Sequence, residues 1–184
     1  KVRKAVSETN GQIVLYGGEP IMAVFHSSSG GMTAACGDVW SADLPYLVSV
    51  ESPENESGVP NYYSVKTMSR DAFRNTFTAV YSEADFSGDW VSDRVEDSSG
   101  RVESVTVGGI TVSGSEMRQL YGLRSTSFSV DVGDSEVTLH VTGYGHGVGM
   151  SQYGANTLAQ QGKTWQEILS WYYTDITIGG YTTP

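Results

Sequence analysis

The sequence predicts an α+β fold, and three observations carry that reading. Short apolar runs come in pairs around Gly-rich or polar turns, which is the pattern of antiparallel hairpins. Short stretches with helical periodicity begin at Ser or Thr caps. Neither pattern settles into strand–helix–strand units, so the mixture points to antiparallel strands and short helices side by side.

Taken in order, the chain is expected to open at Lys1 directly into strand-like sequence. Gln12–Tyr16 and Ile21–Phe25 read as a hairpin across Gly17-Gly18-Glu19-Pro20. A polar loop, His26-Ser27-Ser28-Ser29-Gly30-Gly31, follows. Residues 37–61 hold Pro45, Pro53 and Pro60 and read as ordered but irregular. A helix from Ser69 to Tyr81 is indicated by Phe73, Phe77 and Tyr81 on one face. Residues 92–107 read as a hairpin turning at Ser98-Ser99-Gly100, and Ile110–Val112 as a further strand. A short helix runs from the Ser113-Gly114-Ser115 cap to Leu120 or Tyr121 and stops at Gly122. Phe128–Val132 and Val137–Val141 pair across Gly133-Asp134. The last two helices span Ser151–Gln161 and Thr164–Tyr173, the latter with a capping-box Glu167.

Composition excludes several functions. The chain of 184 residues carries 11 Lys and Arg against 21 Asp and Glu, a net charge of -10. Clustered cations are what phosphate binding needs, so nucleic acid is not an expected partner. At 39% apolar and 17% charged residues the chain is globular. No run of about 18 apolar residues would span a membrane, and no signal peptide is recognisable. Any export signal is expected upstream of Lys1. The single cysteine, Cys36, has no zinc-like spacing around it and reads as a buried small residue.

Two segments carry candidate chemistry. The His26–Gly31 loop offers hydroxyls and backbone N–H groups with little bulk. The second, Gly143-Tyr144-Gly145-His146-Gly147-Val148-Gly149-Met150, leads into a helix. It lacks the Gly-Lys-Ser/Thr of a phosphate loop and the βαβ setting of a dinucleotide site. His146 between glycines reads as accessible to substrate, able to donate, accept or shuttle a proton. Gln152 and Tyr153 could hydrogen-bond or stack on a sugar. Ser28, His146 and an Asp could in principle form a hydrolase triad, but no nucleophile elbow is present. A metal site of His26, His140 and His146 has no supporting spacing, so no metal and no cofactor is expected.

Longer stretches then become recognisable. Thr9–Tyr16, Ala23–Thr33, Asp38-Val39-Trp40 and Leu44-Pro45-Tyr46-Leu47 closely resemble the middle of the SpoIID/LytB family. Gly143–Ala155 resembles that family's C-terminal signature, and Gly162–Trp165, Ile168-Leu169 and Trp171–Tyr173 resemble its ending. The resemblance covers nearly the whole chain and places 1–184 as the C-terminal part of such a domain.

The resemblance implies a lytic transglycosylase that cuts between N-acetylmuramic acid and N-acetylglucosamine in peptidoglycan. The muramic acid's own 6-hydroxyl attacks to give a 1,6-anhydro end. One carboxyl then suffices as acid and base, where common glycosidases use two. Other members are described as amidase modifiers or enhancers. The family's catalytic Glu belongs to a helical stretch of the Glu-Ala-Leu-Lys-Ala-Gln-Ala type with no counterpart here. The acid is therefore expected upstream of Lys1, and none of Glu8, Asp38, Glu51, Glu54 or Glu56 is assigned that role. The expected substrate-binding residues are His26, Ser27, Ser28, Ser29, Gly30, Gly31, Tyr144, His146, Gly147, Gln152 and Tyr153, with His146 supporting catalysis. Trp40, Tyr46 and Tyr153 are candidate stacking aromatics. The expected partners are peptidoglycan glycan strands, and an N-terminal companion segment or a second copy, in an extracytoplasmic setting. A non-catalytic wall-binding or amidase-enhancing module is the rival reading, and a self-sufficient hydrolase using His146 a third.

Overall fold

The computed structural model describes residues 2–40 and 42–180. In chain order the elements are α1 (Val2–Glu8), β1 (Ile13–Tyr16), β2 (Glu19–Pro20), β3 (Phe25–His26), α2 (Cys36–Val39), β4 (Tyr63–Ser69) and α3 (Arg70–Thr78). Then come β5 (Val91–Glu96), β6 (Val102–Val107), β7 (Ile110–Ser113), α4 (Gly114–Tyr121), β8 (Phe128–Val132) and β9 (Glu136–Thr142). The chain continues with β10 (Met150–Ser151), α5 (Gln152–Gln160), α6 (Trp165–Tyr172) and β11 (Thr177–Gly179). The fold is α+β, as the sequence predicts.

Residues 62–142 form one packed region. Two three-stranded antiparallel sheets, ordered β4-β9-β8 and β5-β6-β7, carry it. Strand alternation sends Val137, Leu139 and Val141 of β9 inward while Thr138 and His140 stay outside. Ser69 caps α3 by accepting from Ala72 N–H, and α3 buries Phe73 and Phe77. Phe73 stacks on Tyr121 of α4 with ring centroids 4.6 Å apart. Each such buried side chain stabilises the fold by roughly 1.5–3 kcal/mol relative to exposure.

Residues 13–61 and 143–179 form the second region. β1 is flanked by β2 and β11. β3 and β10 pair in parallel, Phe25 with Met150 and His26 with Ser151. Tyr172, Leu158 and Val148 pack with Ala34, Cys36 and Leu47 in a smaller core. The Cys36 thiol is buried and reaches the Ala42 carbonyl at 2.8 Å.

Several expectations are corrected. The opening is a helix, α1, every residue of which is exposed or nearly so, rather than strand. Its Lys4 and Glu8 pair at i,i+4, 3.6 Å apart. The first hairpin turns on Gly17-Gly18 alone, because Tyr16 already pairs with Glu19. Residues 21–24 do not continue the strand: Met22 N–H is drawn to the Tyr46 hydroxyl instead. The helix expected to reach Tyr81 stops at Thr78. β4 and β11 are additional to the strands expected from the sequence. In β4 the alternation Tyr63-Ser64-Val65-Lys66-Thr67 was the available signal.

Candidate functional site

The two motif segments lie side by side. β3 and β10 start the contact, and Ser28 and Tyr144 exchange both backbone hydrogen bonds, at 3.1 and 2.8 Å. Tyr153 N–H donates to Ser27 O and Ala34 N–H to Gly147 O. Residues 26–34 are thus enclosed on one side by the Gly-rich segment and the start of α5. Close approach needs small residues. At Gly147 the backbone has φ +87°, and a Cβ would stand 2.5 Å from the Arg101 guanidinium carbon. At Gly149 a Cβ would collide with the Val24 carbonyl.

A buried polar cluster joins the segments. Glu54 is 7% exposed and accepts from Ser29 N–H at 2.5 Å, from the Ser29 hydroxyl, and from the Ser151 hydroxyl at 3.0 Å. Ser151 also caps α5 by accepting from Gly154 N–H. One carboxylate therefore ties the first motif to the second. Arg101, at the end of the turn between β5 and β6, is 1% exposed and donates from Nη2 to Ser29 O at 2.6 Å. Burial pulls its guanidinium below its ordinary pKa, with Asp97 and Glu54 opposing that shift. Nothing in the sequence distinguishes Glu54 or Arg101 from surface charges, so neither is legible there as part of the site.

The histidines are fixed by backbone groups. Val148 N–H donates to His146 Nδ1 at 3.1 Å, so the proton sits on Nε2, which donates to Phe25 O at 3.1 Å. Burial lowers the His146 pKa, as do the charges of Arg118 and Arg101, while the Phe25 bond opposes. His146 is half-buried and neutral, with both nitrogens engaged by backbone groups. His26 is buried, and its Nδ1–H donates to Val148 O at 3.2 Å. Burial first, then Arg101, pushes its pKa down to about 3. Its ring meets that of His146 edge-on at 5.6 Å, and Trp40 lies 5.1 Å from His146.

The expected site residues separate accordingly. His26, Ser28, Ser29 and Gly147 are buried and build the junction. Tyr144 and Gln152 are exposed, and Ser27, Gly30, Gly31, His146 and Tyr153 are half-buried. Ser27, Gln152, Tyr153 and Asn156 line a surface depression of about 430 Å³. Trp40 and Tyr153 remain partly open to a ligand, but Tyr46 is 7% exposed and belongs to the core. The triad of Ser28, His146 and an Asp is not assembled, since neither His146 nitrogen faces Ser28. His140 lies on β9, paired with Asp131 at 3.0 Å. Among the described residues no group of three or more His, Cys, Asp or Glu side chains could hold a metal ion.

No family model matches the chain. Stage II sporulation protein D of Bacillus subtilis (strain 168) is 35% identical over 94% of this chain and 49% of its own length. The protein of the same name from Bacillus amyloliquefaciens is 35% identical over 97% of this chain and 51% of its own. This chain belongs to the SpoIID/LytB family. An amidase enhancer of Bacillus subtilis (strain 168) is 29% identical over 97% of the chain and 32% of its own length. The chain spans about half the length of the stage II sporulation proteins it matches. Among the described residues no helix is long and apolar enough to cross a membrane.

Proposed function

We propose that this SpoIID/LytB chain is the glycan-engaging part of an extracytoplasmic, sporulation-related cell-wall protein, a peptidoglycan lytic transglycosylase. The observation that carries this reading is the junction of the two motif segments. It presents Ser27, Gln152 and Tyr153 around one depression, with the exposed Tyr144 on the segment paired with Ser28, a mix of aromatic and polar groups that suits a sugar. The residues beneath position that surface and do no chemistry of their own. Glu54 is committed to its serine donors, and the neutral imidazoles of His26 and His146 are held by backbone. In this reading the acid that protonates the leaving oxygen belongs to a segment outside residues 1–184; the chain spans about half the length of its stage II sporulation relatives. That segment, retained as a companion, or a second copy of the chain, would complete the groove. Light scattering with mass spectrometry tests this, and a stable lone monomer of 1–184 counts against it.

Full-length protein should release 1,6-anhydro-muropeptides from purified sacculi, and residues 1–184 alone should release none. Release by 1–184 would contradict the placement of the acid. The likeness to an amidase enhancer favours a second reading, a non-catalytic wall-binding or amidase-stimulating module. Full-length protein that binds sacculi, releases no anhydro ends and accelerates an amidase would establish that reading instead.

A further inference from the structure

Basic side chains are scarce here, 11 in a chain of net charge -10, yet several gather beside the Gly-rich segment. Two neighbouring depressions, of about 220 and 480 Å³, share Gly122 and Leu123 at the end of α4. One is lined by Lys66 and Arg124, the other by Arg118, and neither has an Asp or Glu in its lining. Glu116, on the same helix as Arg118, is turned to Ser113 and the Tyr81 hydroxyl. The cations are held in place. Arg118 Nε donates to Leu123 O at 3.3 Å, and Lys66 Nζ donates to Tyr121 O at 2.5 Å. The Arg124 guanidinium lies 4.0 Å over the exposed Tyr144 ring, and Arg124 O accepts from Gly145 N–H. The patch therefore meets the proposed glycan surface at Tyr144. The charges of Arg118 and Arg101 are also among the causes that depress His146.

We propose that Arg118, Arg124 and Lys66 form a subsite that recognises carboxylates carried by the glycan strand. The inference rests on the glycan-engaging reading above and adds the charge of the substrate to it. A neutral sugar polymer needs no such patch. A strand of muramic acid units carries acidic groups at regular intervals, on the lactyl ether when it is free of peptide and on the peptide stem when it is not. Guanidinium groups pair with carboxylates through parallel hydrogen bonds, and Lys66 adds a point charge. The cations also offset the repulsion that a net-negative chain would exert on an anionic strand.

The test is strand binding by the 184-residue chain, measured by calorimetry with four ligands. These are peptide-free muramic acid strands, the same strands with their carboxylates converted to amides, peptide-bearing strands, and neutral chitin oligosaccharides. An acidic strand should bind about 10-fold more tightly than the amidated and neutral strands, with the preference shrinking as salt is raised. Preference for the peptide-free acidic strand assigns the lactyl carboxylate, and preference for the peptide-bearing strand assigns the stem. Arg118→Gln combined with Arg124→Gln should bring the acidic and amidated affinities together, and Lys66→Gln, which gives up the bond to Tyr121 O as well as the charge, should narrow the gap. Equal affinity of the wild-type chain for all four ligands overturns the subsite and leaves the glycan reading standing. Binding to none overturns both.

Discussion

The region of residues 62–142 and the region of residues 13–61 and 143–179 are held by different means. The first is closed by apolar surfaces: two sheets and two helices bring Phe73, Phe77, Val105, Val137 and Leu139 to zero exposure. The second has a smaller core, and its motif junction is closed by serines, glycines, a carboxylate and a guanidinium. Apolar packing is nondirectional and tolerates exchange of shape for similar volume. In a buried polar junction the loss of a partner leaves a donor or charge with its desolvation cost. The contrast teaches where the chain is free to vary: the 62–142 core keeps its volume, the junction keeps its atoms.

Substitutions should separate the two regions. Glu54→Ala removes the acceptor shared by Ser29 and Ser151, leaves buried donors unpaired, and should cost about 3 kcal/mol in chemical denaturation. Leu139→Met, at a fully buried position of the first region, should cost less than about 1.5 kcal/mol. Similar losses for the two would dissolve the distinction. Gly147→Ala demands a left-handed backbone and space held by Arg101, so about 2–4 kcal/mol is expected, readable as a lower Tm.

Acid should act on the junction first. His26 is neutral in the fold, with its pKa near 3, while the unfolded chain takes up a proton at about 6.5. The folded form binds fewer protons in that window, so stability is complete above it and is lost as pH falls through it. The loss from His26 should reach about 2 kcal/mol by pH 5, and His146 shifts in the same direction. Glu116 and Glu167, whose pKa values are lowered by their capping partners, lose their contribution only at lower pH. A stability profile flat from pH 7 to 5 would show that His26 is not held neutral. The smallest effect is expected at a helix end remote from the junction, where Thr164→Ala breaks a capping box and should cost about 1 kcal/mol.

Legibility in the sequence follows the same division. In the first region, strand alternation and caps placed β5 to β9, α3 and α4 close to their observed bounds, because those signals are local. In the second, local pattern extended a hairpin through residues 21–24. There the chain turns away instead, because Met22 and Val24 are bonded by groups far along the sequence, Tyr46 and Met150. The pairing of β1 with β11 joins segments more than 150 positions apart and leaves no local trace. Resemblance marked both motif segments, and they are adjacent in the structure. What it did not convey is which of their residues face inward. His26, Ser28 and Ser29 read as ligand groups because small polar residues usually lie at the surface, yet here they are the glue. Glu54 and Arg101 acquire their roles from three-dimensional proximity alone.

In the proposed reading the polar junction holds the glycan-facing surface. Its most direct test is glycan-strand affinity in two variants compared at a temperature where both are fully folded. Glu54→Gln keeps the side chain's shape and loosens the tie between Ser29 and Ser151, whereas Phe73→Leu weakens the other region's core. Strand binding should weaken roughly 10-fold for Glu54→Gln and stay unchanged for Phe73→Leu. Equal affinities in the two variants would contradict it.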